Sequence, residues 1–196
     1  MRPAAAVAAG LVVAGALMPI SRASAAAAAR ESVDPALREQ LMTAVDDATS
    51  FDNRFAAEVW LLDMATRLAP QMPDAGRRMA LLKTVHAEAT RAGLSPQLVL
   101  ALIQVESAFK RFAVSSAGAR GLMQIMPFWI EEIGRPDDNL FDMRTNLRYG
   151  CTILAYYLDK EDGNVVRALA RYNGSLGETW YPARVERALR TRWYGR

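Results

Sequence analysis

SPQLVLALIQVESAF, Ser95 to Phe109, is the stretch whose reading decides the fold. Ser95 can cap a helix, Pro96 suits the first turn after a cap, and Leu98, Leu102 and Val105 recur at helical spacing. Almost every residue is apolar, so the helix is expected to be packed, yet it carries Glu106 near its end. Leu102 and Ile103 lie one turn before the glutamate on its own side, and Phe109 one turn after. A carboxylate in such surroundings loses solvation, which favours its neutral form and moves its pKa toward the range a general acid needs. Lys110, four residues on, offers the ordinary alternative of a helix-surface ion pair. This stretch alone favours the ion pair, and the rest of the chain has to decide.

Working outward, the chain reads as helices with almost no strand alternation. Upstream, Leu37, Leu41 and Val45 stand four apart within 33–47, and Phe51, Phe55, Val59 and Leu62 repeat the pattern within 51–68. The segment APQMPDAG, residues 69–76, interrupts with two prolines and a glycine. Further helices are expected at about 77–92, 96–107, 127–133, 145–159, 163–172 and 181–192. The fold class is all-α. The domain organisation read from these signals is a leader at 1–25, an N-terminal helical extension at 26–76 and a main domain at 77–196.

The leader has a positive start at Arg2, an apolar run from Ala4 to Ile20, and Ala23 and Ala25 flanking Ser24 as in a secretory cleavage site. A mitochondrial presequence would space its arginines on one helix face, and a membrane span would need roughly 20 apolar residues, longer than this run. Export to the periplasm is therefore expected, with no span remaining after processing. Removing Arg2 and Arg22 leaves 22 basic against 21 acidic residues, which argues against nucleic acid as a partner. The arginines at 184, 187, 190, 192 and 196 read as a solvated helix face with cations near its C-terminus.

One cysteine and one histidine exclude an internal disulfide and the usual zinc sites, and leave a Ser-His-Asp triad unlikely. Cys151 in NLRYGCTILAYYL reads as a small buried hydrophobe and His86 as a partly exposed helix residue. No metal and no cofactor is expected, and the protein is expected to be a monomer.

Two further stretches carry chemistry. In SSAGARGLMQIMP, Ser115 to Pro127, Gly118 and Gly121 permit a tight turn, while Gln124 with Met123 and Met126 offers an amide beside soft apolar surface, a mixture suited to a sugar ring. In ALARYNGS, Ala168 to Ser175, Tyr172 and Asn173 close an apolar helix before a glycine turn, followed by WYPARV. Each alone is readable as packing. In order, E-S-x-F, S-x-x-G-A-x-G-L-M-Q-x-M-P, N-L-R-x-G and A-x-x-Y-N-G resemble the soluble-type lytic transglycosylases, which share a lysozyme-like helical fold; the likeness covers about residues 79–190.

The resemblance implies a cell-wall enzyme that cleaves the MurNAc-GlcNAc β-1,4 bond of peptidoglycan and forms 1,6-anhydro-MurNAc. Glu106 matches the sole catalytic acid/base. Gln124 and Met126 match glycan-contacting positions, Ser115 matches the serine of the glycine-rich loop, and Tyr172 with Asn173 matches a pair that supports glutamate and substrate. Lys110 and Arg111 depart from the family pattern, as do Phe128 and Trp129, which replace small or hydroxyl residues after Met-Pro. Lys110 is expected to point to solvent. The alternatives are a lysozyme-type muramidase with a second carboxylate among Asp137, Asp138, Asp142, Asp159, Glu161, Asp162 and Glu178, or a non-catalytic glycan-binding component. Wall recycling and local opening for a secretion system or pilus are both roles open to such an enzyme.

Overall fold

The computed structural model describes residues 49–194, all within one compact unit. The expected leader and the helix at 33–47 lie outside the described residues. Seven α-helices follow in order: α1 (Arg54–Leu68), α2 (Ala75–Arg91), α3 (Pro96–Ser107), α4 (Phe128–Ile133), α5 (Met143–Lys160), α6 (Val165–Asn173) and α7 (Trp180–Ala188). A π-helical turn, Leu189–Trp193, continues α7. Among the described residues there is no strand, only isolated bridges between residues 114 and 125, so the all-α expectation is met.

The helix that opened the sequence reading is the centre of the packing. Ser95 Oγ accepts from the Leu98 amide and Pro96 occupies the first turn of α3. Leu98 through Ile103 are all buried, six consecutive residues, which means that α3 is covered on every side. The cover comes from α2, α7 and the π-turn. A helix apolar all round belongs inside the protein rather than on its surface.

The apolar stripe expected over 51–68 is buried only in part: Phe51 and Leu62 pack against the core. Phe55 and Val59 are 75% and 52% exposed, whereas Ala57, Leu61, Met64, Ala65 and Leu68 are buried in the same core as the later helices. Both sets have helical spacing. Two alanines on the second set let the α1 and α2 backbones approach, a packing preference that periodicity alone does not carry. Before α1, Phe51 stacks on the His86 ring (centroids 3.5 Å apart, planes at 15°) while Trp60 meets its edge. Burial between these rings pushes the His86 pKa down to about 4, and Ser50 Oγ lies 2.8 Å from Nδ1.

The far end of the chain closes on α1 and α3. The wider winding of the π-turn carries Trp193 into the core, 1% exposed, where its indole N–H donates to Gln104 Oε1 at 2.8 Å and its ring lies 5.7 Å from Phe109, edge to face. Arg67 Nη1 donates to the Arg192 carbonyl (2.9 Å), and Arg192 Nη2 donates back to the Arg67 carbonyl (2.8 Å).

Candidate active site

Glu106 occupies the last turn of α3. The helix stops because Ala108 and Phe109 both take left-handed backbone conformations, φ 47° and 64°, which cost a residue with a Cβ about 1–3 kcal/mol each and which cluster at functional sites. The turn throws Lys110 into solvent and returns the Phe109 ring to the core. Among the described residues Glu106 makes no ion pair with Lys110; Arg111 Nε donates to the Phe141 carbonyl instead. The surface-pair reading therefore gives way.

What meets Glu106 is Tyr181, the second residue of α7, whose hydroxyl donates to Oε1. Burial raises the Glu106 pKa, and the Tyr181 hydrogen bond and the charge of Arg184 pull it back only in part, so it stays above the ordinary carboxylate value. Burial and the neighbouring Glu106 charge push the Tyr181 hydroxyl well up, which keeps it a donor. The site thus holds a carboxyl biased toward its protonated form and oriented by one fixed hydrogen bond, the state a general acid requires.

The residue after Glu106 ties it to the glycine-rich loop: Ser107, buried, places its hydroxyl 2.7 Å from the Leu122 carbonyl. Asn146 of α5, 1% exposed, fixes the same loop from the other side. Its Oδ1 accepts from the Met123 amide (2.8 Å), and its Nδ2 donates to the Arg120 (2.9 Å) and Leu140 (2.8 Å) carbonyls. Gly121, at φ 80°, is required there, because a Cβ would sit 2.3 Å from Asn146 Nδ2 and 2.5 Å from the Leu140 carbonyl.

The expected binding residues surround this loop in distinct ways. Ser115 Oγ accepts from the Ala119 amide at 3.0 Å and so braces the loop itself. Gln124, at φ 50°, donates its amide to the Gly121 carbonyl (2.9 Å) and, less closely, to that of Ala113 (3.3 Å), which leaves Oε1 as its open polar atom. Met126 is partly exposed at the loop's end. Tyr172 donates to the Met123 carbonyl at 2.8 Å, not to Glu106, and Asn173 is exposed at the end of α6. Tyr181, Asn146 and Ser107 went unassigned at the level of sequence. A signal for Tyr181 existed: it shares the buried stripe of α7 with Val185 and Ala188, and an inward tyrosine needs a partner for its hydroxyl.

Several carboxylates considered as a second acid are engaged elsewhere. Asp138 accepts from the Tyr149 hydroxyl (2.6 Å), Asp142 caps α5, and Glu161 is clasped by Arg167 and Arg171. Asp137, Asp159, Asp162 and Glu178 are exposed. Among the described residues no three His, Cys, Asp or Glu side chains come together as metal ligands.

Glu106 thus combines a raised pKa and a place at the end of a buried helix with a neighbour, Ser107, bonded to the glycine-rich loop. The profile of the family described as Transglycosylase SLT domain matches residues 83–192, more than half of the chain, and the chain belongs to that family. It is similar to the transglycosylase of Enterobacteria phage PRD1, 32% identical over 104 residues, which cover 53% of this chain and 38% of the relative. It is also similar to membrane-bound lytic murein transglycosylase C of Yersinia pestis (strain Pestoides F), 32% identical over 112 residues, covering 49% of this chain and 31% of the other. Its namesake from Actinobacillus pleuropneumoniae serotype 5b is 47% identical over 51 residues, 26% of this chain and 14% of that one. Among solved structures, the lytic transglycosylase Slt of Pseudomonas aeruginosa aligns at 26% identity over 83% of this chain and 34% of its own, with a TM-score of 0.44. The chain spans well under half the length of each of these relatives.

Proposed function

We propose that the protein is an exported peptidoglycan lytic transglycosylase in which Glu106 acts as the single acid and base. The observation that carries this reading is the carboxyl of Glu106, kept toward its neutral form by burial and held by Tyr181. Glu106 protonates the glycosidic oxygen as the bond from the muramoyl anomeric carbon to it breaks. The muramoyl 6-hydroxyl then attacks that carbon and gives its proton to the Glu106 carboxylate, which restores the acid. The product is a 1,6-anhydro sugar and a GlcNAc-ended strand; no water enters, so no second carboxylate is required.

In this reading Gln124, Met126, Tyr172 and Asn173 contact or border the glycan, and Ser115 shapes the loop that presents them. The work is extracytoplasmic. No helix among the described residues is long and apolar enough to cross a membrane, and the expected leader would deliver the chain to the periplasm. Peptidoglycan strands are the partner, and residues 26–76 serve as a helical extension of the catalytic domain. Local opening of the wall for a secretion apparatus is a role that this chemistry would serve as well as recycling.

The test is mass spectrometry of fragments released from purified peptidoglycan by the chain lacking residues 1–25, run beside Glu106→Gln. Fragments lighter by one water than hydrolytic muropeptides, absent with the variant, support the reading. Hydrated fragments would replace it with a muramidase, and unchanged turnover by Glu106→Gln would refute it outright.

A further inference from the structure

α4 begins directly after Met126 and Pro127, and it begins with two large rings. Phe128 is 51% exposed, and its centroid lies 5.1 Å from that of Trp129. Trp129 in turn meets Tyr157 of α5, centroids 6.5 Å apart and planes at 74°. Tyr157 stands two turns beyond Gly150, the position where α5 lies so close to Met123 that an added Cβ would be 2.3 Å from its sulfur. Tyr172 donates to the carbonyl of that same Met123. Phe128, Trp129 and Tyr157 therefore form a chain of ring contacts that runs from Tyr157 out to Phe128 in solvent, two residues after Met126 at the end of the glycine-rich loop.

Trp129 and Tyr157 are partly buried against the core, while Phe128 beyond them stands half in water. The half-exposed Phe128 ring, set against Trp129 at the end of the loop, offers apolar surface for an occupant to cover. The Tyr157 hydroxyl and the Trp129 indole N–H make no hydrogen bond among the described residues. Apolar faces with unsatisfied polar groups at their edges match a pyranose ring, which offers C–H groups on its face and hydroxyls around its rim.

We propose that Phe128, Trp129 and Tyr157 form a stacking subsite for saccharides of the glycan strand beyond those flanking the scissile bond. The inference rests on the glycan-cleaving reading for its ligand, and the rings follow directly on Met126, at the end of the loop which that reading sets against the glycan. It makes the protein selective for strand length.

The experiment uses the full chain with glycan strands of defined lengths. Phe128→Ala should raise KM for long strands about fivefold with kcat unchanged, the scale of one aromatic stacking contact, and leave the shortest cleavable fragment unaffected. Phe128→Tyr should behave as the parent. Phe55→Ala, which removes a still more exposed ring on α1, should change neither substrate. In parallel, Glu106→Gln is titrated with N-acetylglucosamine oligomers, with and without Phe128→Ala, following tryptophan fluorescence. Affinity that rises with oligomer length only when Phe128 is present supports the subsite even if the parent proves not to cleave, so the two readings fail separately. Equal losses for short and long strands, or no loss for either, would overturn the subsite; binding of other proteins but not of oligomers to this face would do the same.

Discussion

Replacing Asn146 by alanine removes one buried amide and three hydrogen bonds, and the cost can be worked out group by group. The Met123 amide and the Leu140 carbonyl have Asn146 as their only hydrogen-bond partner among the described residues, so each is left unsatisfied in the interior. The Arg120 carbonyl keeps the Ile125 amide at 2.9 Å and loses only its second bond. Two buried orphans at about 1–3 kcal/mol each and one net hydrogen bond at about 1 kcal/mol together give a loss of about 3–7 kcal/mol. That is a large fraction of the ~5–15 kcal/mol that holds a domain together. Urea unfolding followed by circular dichroism measures it. The midpoint should fall sharply at unchanged slope, and activity should fall further than stability where the folded fraction is still high, because the same three bonds shape the loop carrying Gln124 and Met126. Asn146→Asp, nearly the same shape, should do at least as badly, since it sets oxygens against two carbonyls. A loss below about 1 kcal/mol for both variants would refute the account.

Because the folded-state pKa of Glu106 is raised, its contribution to stability is fully present below the unfolded pKa and is lost as pH rises through the folded value. Glu106→Gln should therefore gain in urea midpoint relative to the parent between pH 4 and pH 8, and a constant difference would contradict the burial argument. Tyr181→Phe deletes a hydrogen bond that favours the charged carboxylate, so the alkaline limb of the pH–rate profile should move upward; a downward shift would show that another group titrates. Gly150→Ala forces Met123 to move and should destabilise by about 1–3 kcal/mol in thermal unfolding. Burial pushes the Cys151 thiol up to about 12, so a disulfide reagent should fail to label the native protein and react fully in denaturant.

The legible parts of the molecule were those whose chemistry is written within one stretch of chain. The α3 cap, its burial and the odd carboxylate could be read from fifteen consecutive residues, and the glycine turn from thirteen. Tyr181 and Trp193 could not, because their partners Glu106 and Gln104 lie 75 and 89 residues away and only the fold brings them together. The Met123 carbonyl that accepts from Tyr172 lies 49 residues away, and so was equally out of reach. The exposure of Phe55 and Val59 on α1 has a similar origin: apolar spacing marks that a helix has an inner face, while the helices that pack on it decide which residues that face includes.

The reciprocal arginine bonds between residues 67 and 192 have a consequence for the order of events in making this protein. α1 lies outside the segment matched by the family, yet Leu61 and Leu68 are fully buried, and its end is fastened to a turn 125 residues further on. Contacts of such long sequence separation form late. An emerging chain can cover much of the inner face of α1 with α2 once both have formed, but the bonds that fasten its end wait for the turn at 189–193.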